Sequence, residues 1–380
     1  MRKHRADLLL WALPIFLMVM GLVVIYAIGP MRVNYENAAM GGDLAVSHYF
    51  RHQLISVVAA LVAFVAAYKI PYKVTRRLAK WMMLGGLILC IALSILAAME
   101  SPLAVCQKGA CRWLSLGNSV TFQPAEVLKI GLILYLAQLI AERKRAGKLE
   151  RASDFWIPFV TVSTLTLGLV VLNQADMGTG VVLVAIILTM LWMSGIKQAY
   201  FWLVVATVLA LGVISIMAAP HRMERLLTFS GAGDVNDTYH IENALMAIGS
   251  GGWFGVGIGN SVQATGYLPE SINDSVFAVM GETFGFLGLS LIVGCFALLL
   301  ARLMRLAVLT KDDEQKLVVM GVWAWVAAQV IINIAAMTGL LPLTGITLPL
   351  LSYGGTSMVF VATALGLCLQ LSCYTSRERS

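Results

Sequence analysis

The sequence predicts an all-α, polytopic membrane protein of about ten transmembrane helices, with both termini cytoplasmic and a long extracellular loop between helices 7 and 8. Three observations carry that reading. Hydrophobic residues make up 59% of the 380 positions and charged residues only 12%, far from the roughly 45–50% and about 25% of soluble domains. The apolar residues fall in runs long enough to cross a bilayer. The basic residues crowd into alternate connections between those runs. Because the hydrocarbon core offers no water, every backbone N–H and C=O must be satisfied within its own segment, so runs this apolar are helices.

The first run, Leu8 to Ile28, is too long for the apolar core of a cleavable signal peptide, about 7–15 residues, and no A-x-A-like cleavage site follows, so it is expected to remain as a span. Next come Leu54 to Tyr68, Trp81 to Ala98, Val127 to Ile140 and Trp156 to Asn173. Val181 to Met193, Tyr200 to Ala219, Val276 to Leu300, Leu317 to Met337 and Met358 to Leu371 complete the set. Several fall short of the roughly 20 residues a span needs, so their ends are expected to reach into polar flanks.

Orientation follows from Lys and Arg. Arg2, Lys3 and Arg5 precede the first run; Lys69, Lys73, Arg76, Arg77 and Lys80 follow the second; Arg143, Lys144, Arg145, Lys148 and Arg151 follow the fourth. Lys197, then Arg302, Arg305, Lys311 and Lys316, then Arg377 and Arg379 continue the alternation. The opposite connections hold only Arg32, Arg51, Lys108, Arg112, Arg222 and Arg225. By the positive-inside rule the termini are cytoplasmic. The net charge of +7 is then mainly anchoring against anionic membrane lipid, with no case for nucleic acid. Carboxylates run the other way: Glu36, Asp43, Glu100, Asp176, Glu224, Asp234, Asp237, Glu242, Glu270 and Asp274 all fall outside. That suits a cation site or general-base chemistry, as well as plain loop solubility.

Of six cysteines, Cys90, Cys295, Cys368 and Cys373 lie in or beside spans and read as apolar filler. Cys106 and Cys111 share one outer loop on the oxidising side, where either a small disulfide loop or a metal pair fits; no further Cys or His accompanies them at ligand spacing.

Between Pro220 and Ser275 no full span occurs, and a connection of roughly fifty residues is a functional or disordered one. This one looks ordered: a helix-permitting stretch, Tyr239 to Ile248, leads into GSGGWFGVGIGN at 249–260 and YLPESINDSVFAVMGE at 267–282. A dinucleotide fingerprint is excluded, since the third glycine would fall at Asn260 and no strand precedes. Glu270 and Asp274 are four apart and would face one way on a helical turn that Pro269 can open. The pair could act as general acid and base, hold a divalent cation, or place Asp274 as the cap of the next helix. In RWLSLGNSVTFQPAEVLK, Arg112 sits at the interface, while Glu126 and Lys129 enter a span three apart. Such charges are costly there and tend to be functional, or they simply neutralise each other. QADMGTG at 174–180 and PLTGITLPLLSYGGTS at 342–357 carry Pro and Gly where re-entrant backbone is expected.

Over nearly its whole length the chain resembles the SEDS family of cell-shape and division proteins, FtsW, RodA and SpoVE. The resemblance lies in RWLSLG at 112–117, QPAEVLK at 123–129, QADMGT at 174–179, AIGSGGWFGVGIG at 247–259, GYLPESINDSVFAVMGE at 266–282 and PLTGITLPLLSYGGTS at 342–357. It implies a single integral domain over 1–380 in the bacterial cytoplasmic (inner) membrane, ten helices, and a peptidoglycan glycosyltransferase that polymerises lipid II outside. It also implies work with a class B penicillin-binding protein, a transpeptidase, and with other division or elongation proteins. The family's essential aspartate, in LPE-x-x-x-D-x-x-F, falls on Asp274, and the AVMGE and PLTG wording leans to the FtsW and SpoVE branch. The chain departs from the pattern at His240 and Asn243, where the family has a Gln-x-x-Gln pair, at Ser275, commonly Phe, and at the two cysteines around KGA.

The resemblance makes Asp274 the catalytic base that takes a proton from the attacking sugar hydroxyl, with undecaprenyl pyrophosphate expelled from the lipid-linked glycan. Arg112 and Lys129 are the candidates to offset the pyrophosphate charge, with Glu126, Glu270 and Asp176 as further substrate-binding candidates. A divalent cation, Mg or Mn, held by Asp274 is the one cofactor expected. Three rivals stand beside this: a retaining hydrolase using Glu270 and Asp274, a lipid II flippase, and a non-catalytic division scaffold.

Overall fold

The computed structural model describes residues 6–107, 110–115, 117, 121–217 and 235–374. Within them run eleven helices. They are α1 (Leu8–Met40), α2 (His48–Lys69), α3 (Tyr72–Ala98), α4 (Pro124–Arg145), α5 (Ala152–Asn173, π-helical at both ends) and α6 (Met177–Met193). Then come α7 (Gln198–Met217), α8 (Val235–Ser250), α9 (Val276–Leu309), α10 (Asp313–Met337) and α11 (Gly355–Ser372). Among the described residues nine helices are long and apolar enough to cross a membrane. α6, at 17 residues, is shorter and still rises about 26 Å. The ten expected runs thus fall one to a helix. α8 is the amphipathic exception that lies in the long connection.

Two local results differ from expectation. α1 continues through Pro30 to Met40, where Gly41 ends it in the left-handed region at φ 66°; an Arg32–Glu36 ion pair of 2.6 Å supports the added turns. A three-stranded antiparallel sheet, β1 (Ala104–Gln107), β2 (Ala110–Ser115) and β3 (Thr121–Phe122), sits between α3 and α4. Its register puts Cys106 opposite Cys111, and the two are joined as a disulfide.

Polar contacts sort the molecule into two ends. At one, Asp7 N–H donates to Ser372 Oγ at 3.3 Å, Lys144 meets Asp313 at 3.0 Å, Arg145 meets Asp312 at 2.9 Å and Lys197 meets Glu150 at 2.7 Å. This basic end gathers the ends of α1, α3, α4, α7, α10 and α11. The opposite end carries the sheet, α8, the glycine run and the 338–354 segment. α4 and α10 form the buried centre, whereas the most apolar stretch of α7 buries nothing and faces lipid. Close helix contact depends on missing side chains: a Cβ on Gly131 would stand 2.8 Å from Met83 Cα, and one on Gly86 2.9 Å from Leu128 Cα. Without a hydrophobic force between helices in lipid, such close approach is how they hold together.

α9 is broken. Gly285 adopts φ 66°, ψ −168° inside it, and a break frees backbone groups that need partners. The glycine run supplies them: Val256 N–H donates to Glu282 O at 2.9 Å, and Phe286 N–H to Gly252 O at 2.8 Å. The buried Glu282 carboxylate clasps the same loop, accepting from Ser261 Oγ at 2.5 Å and from Val262 N–H at 2.9 Å.

Candidate active site

Asp274 lies on the turn that enters α9. Asn273 N–H donates to Glu270 O at 2.9 Å, and Ser275 is the residue preceding the helix. Asp274 is therefore one position short of the cap that its sequence suggested. The turn is not helical: Glu270 holds φ 50°, a left-handed conformation uncommon outside glycine. Glu270 and Asp274 consequently do not share a face.

Three segments fix Asp274. Asn333 of α10 donates its amide to Asp274 O at 2.7 Å and to Ile346 O at 2.7 Å, tying the turn to the 342–346 backbone. Gly345, at φ 69°, passes the carboxylate, and a Cβ there would stand 3.9 Å from Oδ2. Tyr353 N–H donates to Ile272 O at 2.8 Å. The Asp274 side chain is 9% exposed, so burial within a polar surround replaces bulk water beside it.

α8 docks here too. Ser275 Oγ donates to Pro269 O at 2.8 Å and lies 2.6 Å from His240 Nε2; a hydroxyl has one hydrogen, so the imidazole is the donor in this second contact. His240 and Ser275, two of the departures from the family pattern, are thus in contact with each other.

Glu270 lines a separate cavity of about 500 Å³ with Arg32, Glu36, Tyr49, Asn273 and Tyr353. Glu36 accepts from Arg32 Nε at 2.6 Å and Tyr49 Oη at 2.5 Å. Burial pushes the Tyr353 phenol above its usual value, and the Glu36 carboxylate adds to the shift. Sequence reasoning missed this cavity, because its walls come from α1, α2 and two loops far apart in the chain. It also missed Asn333, although an amide in the apolar run Leu317–Met337 is itself a signal.

The remaining candidates divide in two. Arg112 Nη2 donates to Ala175 O at 2.7 Å, and its Nε is buried without a partner among the described residues. Asp176 caps α6, accepting from Thr179 N–H at 3.0 Å, Thr179 Oγ1 at 2.9 Å and Gln123 Nε2 at 3.3 Å. Deeper in the bundle, Lys129 and Glu126 pair at 2.7 Å, both almost wholly buried, with Lys129 4.5 Å over the Trp325 ring. Trp325 is two turns along α10 from Asn333, about 12 Å. Trp325, Gln329 and Asn333 share one helical face, and each keeps a buried polar atom without a partner among the described residues, as does Glu126. Arg222, Glu224, Arg225 and Asp234 lie outside the described residues, as does Lys108, and the side chain of Asp237 is not described. Among the described residues no three His, Cys, Asp or Glu side chains converge.

Comparison with known proteins agrees with this architecture. The FtsW/RodA/SpoVE description, "Cell cycle protein", matches residues 7–377. A protein of Thioalkalivibrio sulfidiphilus named probable peptidoglycan glycosyltransferase FtsW is 36% identical, over 97% of this chain and 90% of its own. Stage V sporulation protein E of Bacillus subtilis is 30% identical, over 98% of this chain and 99% of its own. The crystal structure of the rod shape determining protein RodA of Thermus thermophilus superposes with a TM-score of 0.68 at 25% identity, covering 98% of both chains. A structure described as coordinating polymerization and crosslinking by a peptidoglycan synthase complex gives 0.75 at 23% identity, covering 97% of each chain, a likeness of fold. Ten apolar helices among the described residues, a buried aspartate on the turn at one end of them, and a match along almost every residue place this chain in the FtsW/RodA/SpoVE family of cell cycle proteins.

Proposed function

We propose that the chain is a peptidoglycan glycosyltransferase that polymerises lipid II into glycan strands on the outer face of the cytoplasmic membrane, in cell division or shape maintenance, with Asp274 as general base. Relatives named peptidoglycan glycosyltransferase support the activity. The observation that carries the residue assignment is an aspartate 9% exposed at the end opposite the basic loops, its backbone carbonyl tied down by Asn333 and its carboxylate passed by the Gly345 backbone.

The 4-hydroxyl oxygen of an incoming N-acetylglucosamine bonds to the anomeric carbon of the lipid-linked glycan as the bond from that carbon to pyrophosphate breaks. The hydroxyl proton passes to Asp274, a service worth about 10² to 10⁴ in rate. Charge gathers on the departing pyrophosphate, and fixed donors facing it lower the barrier. Arg112, with its unengaged Nε, is the first such donor. Lys129 joins it only by exchanging Glu126 for phosphate. Asp176, by capping α6, positions the Ala175 carbonyl on which Arg112 rests. Glu270 and its cavity are assigned to the sugar and peptide of the acceptor. A divalent cation, Mg or Mn, would be held by Asp274 and would supply positive charge to offset that of the departing pyrophosphate. A class B penicillin-binding protein is the proposed transpeptidase partner.

A lipid II flippase is the second reading, favoured by the charged Glu126–Lys129 pair in the bundle centre. Purified protein in liposomes with fluorescent lipid II, with and without the penicillin-binding partner and Mg, separates the two. The expected result is glycan polymer from the wild type and a drop of about 10² to 10⁴ for Asp274→Asn. Unchanged polymer from a stably folded Asp274→Asn overturns the base assignment. Transbilayer movement of lipid II without any polymer returns the flippase.

A further inference from the structure

We propose that the cleft between the first turns of α3 and the C-terminal half of α4, at the basic end, is a binding site for the phosphate of an anionic lipid headgroup in the adjoining leaflet. Lys73, Arg76, Arg77 and Lys80 stand at i, i+3, i+4 and i+7 on α3 and so share one helical face. With Gln138 of α4 they line a cleft of about 490 Å³.

The charge in this cleft is not balanced by the protein. Arg76 meets Glu314 at 3.1 Å and Glu142 at 3.8 Å. Lys73, Arg77 and Lys80 have no carboxylate partner among the described residues. Like charges three and four apart oppose each other, and the positive end of the helix dipole opposes them again in the first turns. A bound anion relieves both costs. The floor is firm: Gln138 is buried and donates to the Arg76 carbonyl, while Arg76 is pinned by the buried Glu314. A loop that merely marks the cytoplasmic side needs neither a concave shape nor a common face, and the other basic loop differs in this respect. There, Lys144 and Arg145 are paired with Asp313 and Asp312.

The face beyond the cleft identifies the source of the phosphate. Trp81, Leu84, Ile88, Ile91 and Ile95 continue up α3 at three- and four-residue spacing, all exposed, with Trp81 at 69%. Tryptophan belongs at the membrane interface, and an aliphatic stripe above it suits acyl chains. Basic pockets between helices on the cytoplasmic side are where anionic headgroups lodge. A free phosphate would use the cations and leave the stripe idle.

The test is native mass spectrometry of the full chain extracted from nanodiscs of phosphatidylglycerol and phosphatidylcholine. The wild type is expected to retain phosphatidylglycerol saturably, and Lys73→Gln/Arg77→Gln/Lys80→Gln to lower that preference on the order of a hundredfold. Lys73→Arg/Lys80→Arg retains it. Thermal unfolding of both variants in phosphatidylcholine reports their folding, and the wild-type titration stands without them. The proposal is overturned if wild-type retention never saturates or if the triple variant holds the lipid as well as the wild type. It is also overturned if Lys148→Gln/Arg151→Gln, in the other basic loop, loses the preference equally, which marks a diffuse field. Displacement of the lipid by millimolar inorganic phosphate assigns the cleft to a soluble anion and overturns the lipid source.

Discussion

Asn333→Leu separates positioning from chemistry at the proposed site. One amide serves two buried carbonyls, Asp274 O and Ile346 O, each at 2.7 Å. Leucine fills the volume and donates nothing. Each carbonyl left unpaired costs about 1–3 kcal/mol, and removal of the buried, unpartnered Asn333 Oδ1 returns about as much once. The net is about 1–3 kcal/mol, small enough for the fold to survive. The loss falls on the join between the Asp274 turn and the 342–346 backbone, so the carboxylate drifts. A shift of about 1 Å at a reacting group costs roughly 10² in rate. Lipid II polymerisation by Asn333→Leu should therefore fall about a hundredfold in kcat, with KM little changed and the protein monodisperse. Activity within about twofold of wild type, beside an inactive Asp274→Asn, would refute the idea that Asn333 holds the base in place.

Gly285→Ala should destabilise the protein by about 3 kcal/mol or more in thermal unfolding, since a side chain there combines φ 66° with collision against the Gly255 and Phe254 backbone; an unchanged Tm counts against the break in α9. Cys106→Ser/Cys111→Ser removes a closed loop whose ends are 5 residues apart, worth about 2 kcal/mol by loop entropy, and proteolysis of the 104–115 hairpin should quicken; equal digestion rates contradict it. Tyr353 titrates above the unfolded value of about 10. Its contribution is therefore complete below that pH and is lost as pH climbs through the folded value. Tyr353→Phe should flatten the alkaline limb of stability against pH, and superimposable limbs would reject the assignment.

The spans are legible from sequence because long apolar runs have no stable alternative in water, and the two ends are legible because Lys and Arg alternate. The small sheet is not, since AVCQ and ACRWLS are short and their pairing depends on a disulfide that spacing leaves open. α1 outruns its apolar core because Arg32, Glu36 and Tyr49 satisfy one another in three dimensions, across two helices. At the site, the motif locates Asp274, while its neighbours come from tertiary contact. Asn333 and Gly345 are 59 and 71 positions away by numbering, and no local periodicity joins them. Glu270 shows the limit of spacing arguments: four apart implies one face only on a helix, and the chain turns instead.

The interruption at Gly285 divides α9 into two mechanical parts. The nine residues from Val276 to Phe284 form a short lever bolted to the glycine loop by backbone bonds and by the Glu282 clasp. The longer piece that crosses the bilayer is not its rigid extension. The same loop also holds the first residues beyond the break, Phe286 through Gly252 and Leu287 through Trp253, so it splints the two parts across the interruption. A displacement of residues 252–257 is therefore transmitted to both parts at once, to the short turn-bearing piece and to the span beyond it.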